Sequence, residues 1–311
     1  MVRCSGKKGF MELATEKKAP LGGIFRIGGD LPIHRMGYGS MKLSGPGVWG
    51  PPEDEANARA VLRRAVELGI DFIDTADVYG PGDTERSIGE ALHPYPSELV
   101  IATKGGLVRS GPATAADPGI SMNGKEAHIR KSLQGSMRRL GVAHIDLYQL
   151  HRVAPATPIE ETMRVLRSLR DEGLIRHIGL SEVSVEEIER ARAVVEIATV
   201  QNIYNLALRK HDDVLAYCEG GGIGFIPFWP LHSGALAKTD AMSEITARTA
   251  ATPAQIALAW LLGKSPVIIL IPGTSSIEHL EQNVASCDLT LSDADIEELN
   301  RLELPIGQPS R

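Results

Sequence analysis

Several things are scarce in this 311-residue chain, and each scarcity excludes a class of function. It has only three cysteines, Cys4, Cys218 and Cys287, with no C-x-x-C pair. That spacing excludes a disulfide framework and a structural zinc site, and points to a reduced, cytoplasmic compartment. Nine histidines are scattered without H-E-x-x-H spacing, so no metal site is expected. No apolar run approaches the roughly 18 residues of a membrane helix. The net charge is −6 and there is no long basic run, so nucleic acid has no electrostatic footprint. No G-x-G-x-x-G follows a strand. The stretch from Gly220 to Phe225, "GGGIGF", precedes one instead, which is the wrong order for a dinucleotide fingerprint. Its glycines read as turn residues.

What is present is a rhythm. Short apolar, β-branched runs end near Gly39, Ala76, Lys104, His151, Glu182, Tyr204, Phe228 and Thr274. Amphipathic stretches separate them. In "EANARAVLRRAVELG", Ala58, Val61, Leu62, Ala65 and Leu68 make one apolar stripe at helical spacing, and Gly69 stops it. Gly141, Gly173 and Gly222 repeat that stop before later strands. Eight strand–helix units imply parallel strands and a (β/α)8 barrel, a fold whose usual length fits this chain. Ile24 to Ile33, turning at Gly28-Gly29, predicts a hairpin plugging the N-terminal mouth. Ser292 predicts the cap of a last, extra helix. Residues 1–23 are polar and Lys-rich without the apolar core of a signal peptide, and are expected to be an extension. Residues 24–311 form the single domain.

The chemistry of a barrel sits at the C-terminal ends of its strands. Asp74, Tyr79, Lys104 and His151 fall at or just beyond three consecutive ends. A phenol is a poor acid at neutral pH; a neighbouring lysine cation lowers its pKa, and a carboxylate keeps a buried lysine charged. A histidine can hydrogen-bond a carbonyl oxygen. The four together can protonate an alkoxide as it forms. Any one of them alone is more often a strand-end salt bridge or a packed core residue. No side chain can donate a hydride, so a cofactor must. The loops after the last strands are where a barrel binds phosphate, and "IPGTSSIEHLEQN" there predicts a capping box between Ser275 and Glu278.

"DFIDTADVYG", "ATKGG" and "IDLYQLH" resemble the three signature segments of the aldo-keto reductase family, in the family's order. The resemblance runs from residue 25 to about 300. It implies that Asp74, Tyr79, Lys104 and His151 are the catalytic tetrad, with Tyr79 the general acid, and that the protein reduces a small carbonyl substrate with NADPH, NADH being possible. It further implies that Pro272, Gly273, Thr274, Ser275, His279, Gln282 and Asn283 surround the adenosine end of the cofactor. Gly273 and His279 stand where the family commonly has lysine and arginine. Ser181, Glu182 and Gln201 would hold the nicotinamide carboxamide, although Glu182 replaces an asparagine. Phe228 would stack on the ring. Trp229, Pro230, Leu231, Ser233 and Gly234 would meet the pyrophosphate, and Gly39, Ser40 and Met41 the ribose. The sequence is similar to a bacterial branch that includes pyridoxal reductases, which implies a small aromatic aldehyde as substrate. Trp49, in a Gly/Pro-rich loop after the first strand, offers a flat surface for it. Two other readings keep the fold: a regulatory subunit that binds NADPH and turns over slowly, and a Schiff-base enzyme using Lys104. Oligomeric state is not legible in the sequence.

Overall fold

A computed structural model describes residues 21–231 and 240–302. The chain enters through a hairpin, β1 (Ile24–Ile27) and β2 (Leu31–His34), paired antiparallel with Ile27 opposite Leu31. Then follow β3 (Tyr38–Gly39), α1 (Glu55–Glu67), β4 (Phe72–Asp74), α2 (Asp83–Leu92) and β5 (Val100–Gly105). A second hairpin, β6 (Leu107–Arg109) with β7 (Ile120–Met122), precedes α3 (Glu126–Leu140). The alternation resumes with β8 (Ile145–Leu150), α4 (Ile159–Asp171), β9 (Ile175–Ser181), α5 (Val185–Arg192), β10 (Thr199–Gln201), α6 (Asp212–Gly221) and β11 (Gly224–Phe225). Helices α7 (Asp240–Thr249), α8 (Pro253–Lys264), α9 (Ile277–Ala285) and α10 (Asp293–Arg301) complete the order.

The main sheet is parallel, in the order β11-β10-β9-β8-β5-β4-β3. The expected eighth strand is not a full ladder. The segment after α8 joins its neighbours by single parallel bridges, Ile268 to Phe225 and Leu270 to Met36. Those two bridges link the sheet's two outer strands and curl it into the (β/α)8 barrel.

The local chemistry explains these elements. Stop glycines Gly69, Gly141, Gly173 and Gly222 all have positive φ, which a side chain would make costly. Ser292 caps α10 in a reciprocal capping box with Asp295, as its sequence implies. The entry hairpin plugs the barrel: Ile27, Leu31 and Ile33 share one apolar cluster with Phe72, Val100, Leu147, Ile226 and Ile269 from around the sheet. Gly28 is required there, because a Cβ would lie 2.1 Å from the His177 ring. The plug seals one mouth and leaves the other open for chemistry.

The β6–β7 hairpin was not expected. Its signal is there in retrospect: two short apolar runs flank a Gly/Pro/Asp-rich turn. It rises over the open mouth, where Leu107 and Ile120 pack on Ala76, Val78 and Tyr79.

Candidate active site

A cavity of about 1010 Å³ opens at the C-terminal ends of the strands. Asp74, Tyr79 and His151 line one end, and Gly273 and Ser275 the other. Lys104 lies directly beneath and is wholly buried.

Three strands place the tetrad. Asp74 is the last residue of β4, Lys104 is next to last in β5, and His151 follows β8. Lys104 Nζ donates to Asp74 Oδ2 at 2.5 Å, to the Thr75 carbonyl at 2.9 Å and to Tyr79 Oη at 3.4 Å. All three ammonium donors therefore have acceptors, which a buried lysine requires. Asp74 Oδ1 accepts from Gln149 Nε2 and Gln201 Nε2, each at 3.0 Å. A buried carboxylate with one ionic and two amide donors is satisfied on both oxygens. Gln149 escaped the sequence reading. It lies two residues before His151, and the twofold period of a strand puts both on one face.

The electrostatics follow from burial. Burial disfavours the charge on Lys104, but Asp74 and Tyr79 outweigh it and hold the ammonium above the ordinary lysine range. Burial raises the Tyr79 phenol, and the Lys104 charge only partly offsets this. Lys104 thus lowers the tyrosine as expected, but the net shift is upward, because desolvation of the phenolate is the larger effect. His151 is pushed far down by burial and by the nearby Lys104, Arg152 and Arg109 charges, so it is neutral at pH 7. Its ring meets Tyr79 edge to face, with centroids 6.0 Å apart. His151 Nδ1 is buried without a hydrogen-bond partner among the described residues.

The other expected contacts divide. Gly39, Met41, Ser181, Gln201, Phe228, Trp229, Pro230, Leu231, Pro272, Gly273 and Ser275 line the cavity. Ser40, Glu182, Thr274, His279, Gln282 and Asn283 do not. Ser40 is buried with its hydroxyl unpartnered among the described residues. Thr274 is turned to structure: its carbonyl accepts from Tyr38 Oη at 2.6 Å. Asn283 is buried and His279 exposed. Ser233 and Gly234 lie outside the described residues. Trp49 is 40% exposed and absent from the cavity wall; its neighbour Val48 takes that place. Val48 and Trp229 hold φ of 59° and 58°. A β-branched residue at positive φ is strained, and such strain concentrates at functional sites.

Two further details differ from expectation. The cap of α9 is Ser276, whose Oγ accepts from His279 N at 3.3 Å, and not Ser275. Glu278 bonds Gln282 instead of closing a box. Ser275 is left lining the cavity, and its carbonyl accepts from Asn57 at 2.8 Å. At Gly273 a Cβ would stand 2.8 Å from the Gly39 carbonyl, so the backbones of strand ends leave no room for the lysine common in the family. The same Cβ would meet Lys42 Cγ at 3.6 Å, and Lys42 lines the cavity there. A cation is thus present at this end, supplied from the short 3-10 helix Ser40–Leu43 that follows β3.

Glu182 sits at φ 55° with its carboxylate turned onto His211 Nε2 at 2.9 Å, Lys210 at 3.5 Å and Arg152 at 3.9 Å. Burial would raise it, but the His211 bond and the two cations hold it below the usual carboxylate range. Gln201 spends its amide N–H on Asp74, so it braces the tetrad as well as lining the cavity.

Comparison with known proteins matches this architecture. The model of the aldo/keto reductase family covers residues 35–303, and the chain belongs to that family. It is 47% identical to an uncharacterised oxidoreductase of Schizosaccharomyces pombe over 85% of both chains. It is 42% identical to pyridoxine 4-dehydrogenase of Escherichia coli, covering 85% of this chain and 93% of that one. Among solved structures, a glycerol dehydrogenase of Gluconobacter oxydans superposes with a TM-score of 0.81 at 29% identity, over 90% of this chain and 94% of the other. An aldo-keto reductase of Klebsiella pneumoniae in complex with NADPH gives 0.74 at 27% identity, over 89% and 94%. The protein is an oxidoreductase of this family. Among the described residues no helix is long and apolar enough to cross a membrane.

Proposed function

We propose that the protein reduces a small aromatic or heteroaromatic aldehyde to its alcohol with NADPH, and that Tyr79 supplies the proton. The observation that carries this reading is the Asp74–Lys104–Tyr79 chain of hydrogen bonds ending in the cavity beside a neutral His151. Tyr79 is protonated across the neutral range, which is the state a proton donor needs. When its proton leaves, the phenolate forms 3.4 Å from a charged ammonium that is already held in place. Preorganised charge of this kind stabilises the transition state without reorganisation. His151, neutral, can donate one hydrogen bond to the carbonyl oxygen and orient it toward Tyr79. The Schiff-base alternative requires a neutral Lys104, which the Asp74 pair opposes.

The residues present suit a dinucleotide. The cavity is continuous from the tetrad to the first residues before α9, and its volume is at the upper end for a bound ligand. NADPH, when bound, supplies the hydride. Phe228 would offer an apolar ring to the nicotinamide, with Ser181 beside it; Gly39 and Met41 would border the ribose. Backbone around Pro272, Gly273 and Ser275, with Lys42, would face the phosphates of the adenosine end, and His279 on the exposed face of α9 would lie at its rim. The homologous dehydrogenase of pyridoxine supports a vitamin B6 aldehyde as one substrate.

The test is turnover of pyridoxal, 4-nitrobenzaldehyde and an open-chain sugar with NADPH and with NADH. Oxidation of NADPH by the aromatic aldehydes is expected. Turnover of nitrobenzaldehyde with none of pyridoxal would remove the vitamin assignment, and inertness toward every aldehyde would remove the reductase reading.

A further inference from the structure

The tetrad end of the cavity carries more positive charge than proton transfer requires. Arg109 and Arg152 both line it. Both lie near enough for their charges to act on His151 and on Tyr79. They arrive from different elements, Arg109 at the end of β6 and Arg152 immediately after His151. Each is held in place by backbone. Arg109 Nε donates to the Val78 carbonyl at 2.9 Å and Nη1 to Pro118 O at 3.2 Å. Arg152 Nη1 donates to the His151 carbonyl at 2.6 Å and to Ser181 Oγ at 2.8 Å, and the guanidinium carbon lies 5.6 Å from the centre of the Phe228 ring.

The negative charge at this end does not match them. Asp74 is consumed by Lys104 and two glutamine amides. Glu182 pairs with Arg152 through Oε2 at 3.9 Å, beyond hydrogen-bond distance, while its Oε1 bonds His211 at 2.9 Å and faces Lys210 at 3.5 Å, so one carboxylate is shared among three groups. The remaining lining carboxylates, Glu53 and Asp54, belong to the loop leading into α1. Asp54 caps that helix, whose Asn57 reaches Ser275 at the far end. Arg109 has no carboxylate partner among the described residues, and its Nη2 makes no hydrogen bond there. Burial weakens the charged form of both guanidiniums, so each would gain from an anion that shares the cavity.

We propose that Arg109 and Arg152 form an anion-recognition pair that selects aldehydes carrying an ionised oxygen, a carboxylate or a phenolate, over neutral aldehydes of the same shape. This rests on the reductase reading for its location, since the anion would be held beside the carbonyl that Tyr79 and His151 address. A pyridine aldehyde with an ionised ring hydroxyl, such as pyridoxal, belongs to the class.

Two matched compounds test it, 4-formylbenzoate and 4-formylbenzamide, which differ in charge and little in shape. The expected kcat/KM with NADPH is at least tenfold higher for the carboxylate at low salt, with the difference lying in KM and shrinking as ionic strength rises. Arg109→Gln and Arg152→Gln should each remove most of that preference, read within each variant as the ratio of kcat/KM for the acid to kcat/KM for the amide. Equal kcat/KM for the two compounds in the wild type would overturn the pair while leaving the reductase reading intact. Binding decides the matter without turnover. Calorimetry with 4-(hydroxymethyl)benzoate and 4-(hydroxymethyl)benzamide should show at least tenfold tighter binding of the acid, and equal affinities would again overturn the proposal. Because the wild-type comparison is decisive by itself, a variant that fails to fold leaves the conclusion untouched.

Discussion

The two ends of the cavity are built on opposite principles. At the tetrad end, side chains do the positioning. Lys104, Asp74, Gln149 and Gln201 are buried and bonded into one network that spans β4, β5, β8 and β10. At the other end, backbone does it. Gly273 and Gly39 pack carbonyl against Cα, Thr274 is anchored through its own carbonyl, and the side chains that could contact a ligand, such as His279, stand exposed. A side-chain network tolerates few substitutions but leaves a pattern of residue types. A backbone cradle tolerates changes outside it and forbids a Cβ inside it. The first kind of site is therefore recognisable by chemistry and the second only by shape.

The sharpest way to break the comparison is Tyr79→Phe, which deletes one oxygen at the tetrad end. Aldehyde reduction should fall by about 10² to 10⁴ in kcat while NADPH affinity is unchanged, because the phenol acts only on charge that develops in the transition state. Stopped-flow reduction and fluorescence titration of cofactor separate the two. Near-normal turnover would take the acid role from Tyr79.

Lys104→Met attacks the same network through stability. Removing one partner of a buried pair costs about 3–5 kcal/mol. Here Gln149 and Gln201 still donate to Asp74, so the loss should fall at the lower end of that range. Adding Asp74→Asn to Lys104→Met should restore part of it, since no isolated charge then remains buried. Urea unfolding of the two single variants and the double variant measures this. A double variant less stable than Lys104→Met alone would show that the carboxylate is not what the lysine neutralises.

Asp77, on the loop after β4 and facing Glu85 and Arg139 of α2 and α3, sharpens the picture through pH. Burial, with Glu85 nearby, raises its carboxyl from 3.8 to about 7, and Oδ1 has no partner among the described residues. Between pH 4 and 7 the folded state thus holds more protons at this site than the unfolded chain. Stability at this site falls as pH rises through that window and the full cost stands above it. Asp77→Asn should therefore stabilise the protein at pH 8, by at most about 4 kcal/mol for a shift of this size, and hardly at all at pH 4. Melting curves at the two pH values test it, and equal gains would show that ionisation is not the cause.

The smallest effects belong to the backbone-built end. His279→Arg places a cation on an exposed helical face and should favour NADPH over NADH by no more than about 1 kcal/mol, as solvent-screened pairs do. Gly273→Lys should instead weaken both dinucleotides, because its Cβ would press on the Gly39 carbonyl. Tighter NADPH binding by Gly273→Lys would mean that this strand end yields readily. Lys42→Met should reduce the preference for NADPH in the same titration.

Much of this was readable beforehand, for identifiable reasons. The stop glycines and the Ser292 cap depend on local backbone geometry, and all stand where the sequence puts them. The tetrad follows from strand ends, which apolar runs delimit. The α9 cap was misplaced by one residue because Ser275 and Ser276 are chemically identical, and only the turn before them decides which hydroxyl faces the helix. Trp49 was expected in the cavity because residue type suggested stacking, but side-chain direction in a Gly/Pro loop is not encoded by type. Arg109 reaches the mouth only through the β6–β7 hairpin, a pairing set by tertiary contacts that residue type at position 109 does not encode.

The sequence by itself determined the alternation of strands and helices, the plug and the identity of the four residues at the strand ends, because these rest on periodicity and nearest-neighbour chemistry. Tertiary structure alone decided three things: that two single bridges close the sheet, that burial raises the Tyr79 phenol against its lysine, and that Lys42 stands where Gly273 has no room for a side chain. Each depends on distances and desolvation among residues far apart in the chain, and those are set only when the barrel closes.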